Sequence, residues 1–375
     1  MAATLPAASP PRADNAPYRV MVVDDSAVIR GIFRRTLEDD PAIKVVATAG
    51  NGQAAIDALK GQEIDVIVLD IEMPVMDGLT ALPKLLKAAP NVKVIMASTL
   101  TRENADISLK ALSLGAADYI PKPTSKLEIH SAKNFQRDLR DKVRALGARR
   151  RGETRRSGRV DASPAARPAQ AAIALRAPAK VAPRILAIGS STGGPQALVR
   201  VLGELRGNLD LPIVVTQHMP KTFTAILAEH LTKASGRTCA EAVDGEPIVA
   251  GRVYVAPGDQ HMEVAPGPNA QPVIRLTRNP PENFCRPAVD PMFRSLAAVY
   301  GGKVLAVVLT GMGQDGLDGG KALAQAGATL IAQDEASSVV WGMPGAVANA
   351  GLCAAVLPLG EIAAKVRNLA GRQAP

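Results

Sequence analysis

The sequence predicts an α/β protein built from two doubly wound α/β/α domains with largely parallel sheets, joined by a basic Ala/Arg/Pro linker. Three observations carry this. Val/Ile-rich runs of strand length alternate with amphipathic stretches of helix length, an order that builds parallel sheets covered on both faces. The alternation stops near residue 126 and resumes near residue 183. The chain, at 375 residues, exceeds one domain of ordinary size. Its 47% apolar content suffices for two cores, and with aromatics at 3% those cores must be made of Ala, Val, Leu and Ile.

Residues 1–17 are rich in Pro and Ala and have no continuous apolar stretch. They are expected to be a disordered tail, not a secretory signal. No apolar run approaches the roughly 20 residues of a membrane span. Over residues 18–125 the runs YRVMVVDD, KVVATAG, DVIVLD, KVIMAS and ADYIPKP read as strands. AVIRGIFRRTLED, GQAAIDALKG, LTALPKLLKAAP and ENADISLKALSLG read as the helices between them. Residues 126–182 change character. Their first part, LEIHSAKNFQRDLRDKVRAL, reads as a basic helix, and the rest lacks the periodicity to bury a core. Eleven basic and three acidic residues lie between Lys133 and Arg159, so the net charge of +9 belongs mainly to this segment and not to the domains. The segment is expected to be a solvated linker.

Residues 183–372 resume the alternation. RILAIG, PIVVTQ, RVYVAP, PVIRL, KVLAVVLTG, ATLIAQ and CAAVLP read as strands. PQALVRVLGEL, FTAILAEHLTKAS, DPMFRSLAAVY, DGGKALAQAG, PGAVANA and LGEIAAKVRNL read as helices. RVYVAP and PVIRL have no helix pattern between them and are expected to form an antiparallel hairpin. Cys239, Cys285 and Cys353 are odd in number without CxxC spacing, which suits a reducing cytoplasm and argues against a zinc site or disulfide framework.

In a doubly wound domain the site lies at the carboxyl ends of the strands. In the first domain those ends carry Asp24, Asp25, Asp70, Ser98 and Lys122. Asp24, Asp25 and Asp70 offer hard oxygen ligands for Mg²⁺. Asp70 is also placed to accept a phosphoryl group, Ser98 to hydrogen-bond its oxygens and Lys122 to pair with them. Tyr119, just before Pro121-Lys122, is placed to repack in response. VVDDS, VLDIEMPVMDG, MAST and YIPKP resemble the response-regulator receiver domain. The resemblance implies Mg²⁺-dependent phosphorylation of Asp70 by a partner histidine kinase.

In the second domain RILAIGSSTGGPQAL reads strand, glycine turn, helix, with Ser191 near a helix N-terminus. That placement fits a nucleophile, a phosphate-binding turn or a plain N-cap. His218 ends the next strand and is a candidate general base. Asp315 follows the glycine turn after KVLAVVLTG. A Ser, a His and an Asp on three strand ends match the logic of a catalytic triad, which geometry defines and chain order does not. The Ser–His–Asp order and the GSSTGG turn depart from the α/β-hydrolase elbow. AIGSSTGGPQAL, QHMP, VAPGD, CRPAVDPMF and LTGMGQDG resemble the catalytic domain of the chemotaxis protein-glutamate methylesterases. By that resemblance Ser191 is the nucleophile, His218 the base and Asp315 the residue orienting it. Ser190, where the family usually has Ala, is the competing serine. Backbone N–H groups of the GMG turn, with Met312 chosen, are candidates for stabilising the oxyanion.

The resemblance implies hydrolysis of glutamate γ-methyl esters on methyl-accepting chemoreceptors, with deamidation of receptor glutamines. No cofactor is expected in the catalytic domain, and no nucleic-acid partner or membrane insertion. A cytoplasmic monomer is expected. The rival readings are a response-regulator transcription factor, which the basic segment suggests although it has no helix-turn-helix pattern, and a nucleotide-binding α/β output module. For control, the unphosphorylated receiver is expected to cover the Ser191 site.

Overall fold

The computed structural model describes residues 16–122, 129–157, 173–207 and 209–371. Its first domain alternates β1 (Tyr18–Val23), α1 (Ala27–Glu38), β2 (Ile43–Ala49), α2 (Gly52–Ala58), β3 (Val66–Asp70), α3 (Gly78–Ala88), β4 (Lys93–Ser98), α4 (Arg102–Ser113) and β5 (Asp118–Pro121). The five strands are parallel, in the order β2-β1-β3-β4-β5. The strand order therefore reverses between β1 and β3, and the ends of those strands open a crevice. Helix starts are encoded locally. Ser26, Asn51, Asp77 and Thr101 each accept a hydrogen bond from a first-turn N–H, satisfying a donor the helix leaves unpaired.

The next element departs from the expected linker. α5 (Ile129–Ser157) is a 29-residue helix that begins soon after the expected domain end at residue 125. Its Leu139, Val143 and Leu146 are buried with Val20, Val22, Phe33 and Leu37 of the first domain. Its charges are paired across the fold: Arg144 with Asp40, Arg150 and Arg151 with Asp65, and Lys142 with Asp118 at 2.7 Å. These acidic partners lie in distant parts of the sequence, so local reading shows only an excess of base. The remainder of the expected linker through residue 172 and nearly all of the expected tail lie outside the described residues.

The second domain contains β6 (Ile185–Ser190), α6 (Gly194–Glu204), β7 (Ile213–Gln217), α7 (Lys221–Ser235), β8 (Cys239–Glu241), β9 (Val253–Val255), β10 (His261–Pro266), β11 (Pro272–Thr277), α8 (Val289–Tyr300), β12 (Val304–Val308), α9 (Leu317–Gln325), β13 (Thr329–Gln333), α10 (Met343–Asn349), β14 (Ala355–Leu357) and α11 (Leu359–Ala370). Seven strands form a parallel sheet in the order β14-β13-β12-β6-β7-β9-β8. The central trio β12-β6-β7 carries Asp315, Ser191 and His218 just beyond its carboxyl ends. One expectation fails here. The RVYVAP run is β9 of the main sheet, and PVIRL pairs antiparallel with His261–Pro266 instead. The short HMEVAP run, ended by a proline, does not stand out as a strand, whereas its partner does.

The domains are docked through α4, β5 and α5. Tyr119 stacks on Phe223 of α7, with ring centroids 4.5 Å apart and planes 10° from parallel. Gln196 Nε2 donates to Leu112 O and Ala116 O. Arg149 donates to the carbonyls of Glu335 and Ala336, and Thr192 Oγ1 donates to Asp118 Oδ2 at 2.7 Å. Residues of both domains belong to one continuous apolar cluster.

Candidate active site

At the first domain's rim, Asp24, Asp25 and Asp70 offer carboxylate oxygens that all lie within 4.8 Å of one another. Lys122 Nζ lies 2.8 Å from Asp24 Oδ2 and 2.7 Å from Asp70 Oδ1. Among the described residues, Asp70 Oδ2 is buried without a hydrogen-bond partner. Burial, assisted by Asp24 and only partly offset by Lys122, pushes the Asp70 pKa up to about 6. Burial works to lower the Lys122 pKa, but Asp24 and Asp70 outweigh it and hold it up. A crowded acidic cluster with an orphaned oxygen fits a hard divalent cation such as Mg²⁺. Ser98 is buried beside it, and its Oγ accepts from Ser108 Oγ at 3.1 Å. Tyr119 is not part of this cluster, because its ring faces the other domain.

At the second domain's rim, Ser191 and Thr192 turn β6 into α6. Gly193, at φ 75°, supplies the left-handed residue that turn requires. A Cβ added at Gly311 would stand 2.9 Å from Ser191 Cβ, so only glycine lets the turn after β12 approach the serine. The two serines are not equivalent. Ser190 is fully buried and donates to Gln217 Oε1 at 2.7 Å, whereas Ser191 lines a cavity. Gln217 Nε2 donates to the Ser191 and His218 carbonyls, fixing both backbones.

His218 Nε2 lies 2.7 Å from Asp315 Oδ2. Asp315 is 1% exposed and accepts from the Val289, Asp290 and Gly316 N–H groups and from Asn283 Nδ2. Burial works to raise its pKa, but the His218 hydrogen bond and these donors outweigh it and hold the carboxyl below its ordinary value. Asp290, behind it, is pushed up to about 6 by burial and by Asp315. Burial also works to lower the His218 pKa, yet the Cys285 sulfur and Asp315 outweigh it and raise it well above the usual value. The nitrogen of His218 facing away from Asp315, Nδ1, lies 3.3 Å from Cys285 Sγ. Sequence reading missed Gln217, Asn283, Cys285 and Asp290. CRPAVDPMF marked the segment, but nothing local says which of its side chains turn toward Asp315 and His218.

The CheB methylesterase family matches residues 186–366, and the response regulator receiver domain matches residues 20–134. The chain is 57% identical over 98% of its length to a protein-glutamate methylesterase/protein-glutamine glutaminase of Rhodospirillum centenum, covering 97% of that protein. It is 60% identical over 96% of its length to one of Azospirillum brasilense, covering 94% of it. The chain belongs to the protein-glutamate methylesterase/protein-glutamine glutaminase family. The crystal structure of the Thermotoga maritima CheB methylesterase catalytic domain is 42% identical over 50% of this chain and all of that one, with a TM-score of 0.49. The protein is thus a hydrolase of the CheB type with a receiver domain ahead of its methylesterase domain, and the comparisons do not favour a transcription-factor or nucleotide-binding output domain.

Receiver and methylesterase domains together line a half-open cavity of about 1110 Å³. Its walls include Ser191, His218, Met312 and Asp315 from the methylesterase domain, and Tyr119 and Lys122 from the receiver. Among the described residues, no helix is long and apolar enough to cross a membrane.

Proposed function

We propose that Ser191 is the nucleophile of the methylesterase, His218 its general base and Asp315 the group that orients the imidazole. The observation that carries this is the His218–Asp315 hydrogen bond at the rim where Ser191 lines the same cavity. With Nε2 committed to Asp315, Nδ1 is the nitrogen left to take the Ser191 proton. The Ser191 oxygen then attacks the γ-carbonyl of a receptor glutamyl methyl ester, and the carbonyl electrons move onto oxygen. The Met312 N–H is the proposed oxyanion donor, worth roughly 10²–10³ in rate. The tetrahedral intermediate collapses, and the methoxide leaves as methanol with the proton from His218. Water repeats the sequence on the acyl-enzyme and frees glutamate and Ser191. Glutamine follows the same path with ammonia leaving.

Asp70 is the proposed phosphoacceptor, with a chemotaxis histidine kinase as donor. Asp24, Asp25 and Asp70 would hold Mg²⁺, which when bound supplies positive charge against the acceptor and the incoming phosphoryl group. Lys122 and Ser98 would then face the phosphoryl oxygens, and Tyr119, stacked on Phe223, would transmit the change to the docking surface. We place the working boundary of the receiver after α5, since that helix completes its core. In the docked arrangement the receiver walls the cavity in front of Ser191, which supports inhibition by occlusion. The proposed setting is a monomer in the cytoplasm, acting on methyl-accepting chemoreceptors. The test is methanol release from methylated receptor, with and without a phosphodonor. Activity surviving in Ser191→Ala would overturn the assignment.

A further inference from the structure

We propose that Cys285 is a positioning residue for the esterase reaction, one whose sulfur accepts a hydrogen bond from Nδ1 of His218 and so keeps that nitrogen from Ser191 while the receiver is docked. The inference rests on the Ser191–His218–Asp315 reading above. Both imidazole nitrogens are engaged: Nε2 lies 2.7 Å from Asp315 Oδ2 and Nδ1 3.3 Å from Cys285 Sγ. The proton of Ser191 needs the second of these, so a proton held there toward the sulfur leaves the serine no base.

The thiol is held there by a turn with unusual backbone. Asn283 and Phe284, at φ 49° and 63°, are consecutive left-handed residues other than glycine. Such residues persist only where the surroundings impose them. The turn is closed by reciprocal hydrogen bonds between Glu282 and Cys285. It is anchored at two further points. Asn283 Nδ2 donates to both Asp290 and Asp315, which ties the turn to the carboxylate that orients His218. Phe284 is 75% exposed, yet the guanidinium of Arg137 on α5 lies 3.8 Å from its ring centroid. The receiver therefore grips the residue next to Cys285, and leaving the interface would release that grip. The other two cysteines are buried, so Cys285 is the thiol that faces the cavity.

The groups around His218 set the sign of the pH effect. Cys285 and Asp315 touch it, Asp290 stands behind Asp315, and Asp138 and Lys142 of α5 and Asp259 line the same cavity. Removing the sulfur takes away a group that favours the imidazolium, so free base becomes available at lower pH.

The experiment uses the full-length chain and its Cys285→Ala and Phe284→Ala variants. Methanol release from methylated receptor is followed across pH, with and without a small phosphodonor. In Cys285→Ala the unphosphorylated rate should rise several-fold, up to roughly tenfold for one hydrogen bond removed. The phosphorylated rate should stay within about twofold, since the thiol is already displaced in that state. The acid limb of kcat/KM should move to lower pH. Cys285 makes no hydrogen bond to the receiver among the described residues, but it acts electrostatically on Lys142 of α5, so the shift of the acid limb, and not the rate rise alone, tells loss of the sulfur from undocking. Phe284→Ala should raise the unphosphorylated rate in the same direction. Cys285→Ala and Phe284→Ala indistinguishable from the parent at every pH would overturn the proposal. So would loss of the phosphorylated rate in Cys285→Ala, which would make the thiol a reacting group. Ser191→Ala, run alongside, separates the two readings: if it is inactive while Cys285→Ala matches the parent, only this inference fails, and if it is active the triad fails first.

Discussion

The receiver rim and the methylesterase rim occupy the same place in two parallel sheets, yet their carboxylates are treated in opposite ways. Asp70 is buried beside Asp24 with one oxygen unpaired, and its pKa rises to about 6. Asp315 is as deeply buried, but backbone N–H groups, Asn283 and His218 converge on it and hold its pKa down. Burial alone therefore does not set the chemistry of a strand-end carboxylate; the count of donors aimed at it does. The receiver site is left incomplete and calls for a cation or phosphoryl group from outside. The methylesterase site is preorganised, and under the proposed occlusion what it lacks is access.

That contrast can be broken at several points. The largest effect is expected from Ser191→Ala, which should bring methanol release down by about 10⁴ or more, whereas Ser190→Ala, losing only the bond to Gln217, should retain most activity. The reverse result would exchange the two serines. Next, His218→Ala and Asp315→Asn should each cost roughly 10²–10⁴ in kcat, and combining either with Ser191→Ala should add little, because triad members act as a unit. Additive losses in the double variants would show that the three do not share one step.

Access is the next point. A chain starting at Ile173, which removes α5 with the receiver, should release methanol faster than the unphosphorylated full-length protein and ignore a phosphodonor. Gln196→Ala, which cuts the contacts to the Leu112 and Ala116 carbonyls but leaves the rest of the interface, should give a smaller rise. A truncated enzyme no faster than the intact one would exclude occlusion and leave the receiver a purely activating or recruiting role.

The smallest effect tests the receiver rim. Because folding raises the Asp70 pKa to about 6, above the roughly 3.9 of a free Asp, its proton stabilises the fold fully below about pH 4, and that contribution is lost as pH rises past 6. A bound cation replaces the missing proton. Mg²⁺ should therefore raise Tm by a few degrees at pH 8 and hardly at all at pH 4.5. Asp70→Asn should raise the metal-free Tm at pH 8 and lose most of that response. Equal Mg²⁺ shifts at both pH values would contradict the cluster's assigned role.

Most strand and helix positions were legible because a period of two or 3.6 is a local property. The strand-end placement of Asp24, Asp70, Ser191, His218 and Asp315 followed from the same rhythm, since a parallel sheet puts every strand's carboxyl end on one rim. What was missed, a strand at His261–Pro266 and the burial of the helix α5, carries weak local signals. His261–Pro266 is short and proline-ended, and α5 hides its apolar stripe of Leu139, Val143 and Leu146 among arginines.

By itself the sequence determined two α/β domains, the residues at their rims and the chemistry those residues suit. Only the tertiary structure decided which serine is committed to Gln217 and which faces the cavity, that α5 belongs to the receiver, and that Cys285 stands on His218. The physical reason is range. Periodicity and capping act within a few residues, whereas Arg150 meets Asp65, Thr192 meets Asp118 and Cys285 meets His218 only once the chain has closed on itself.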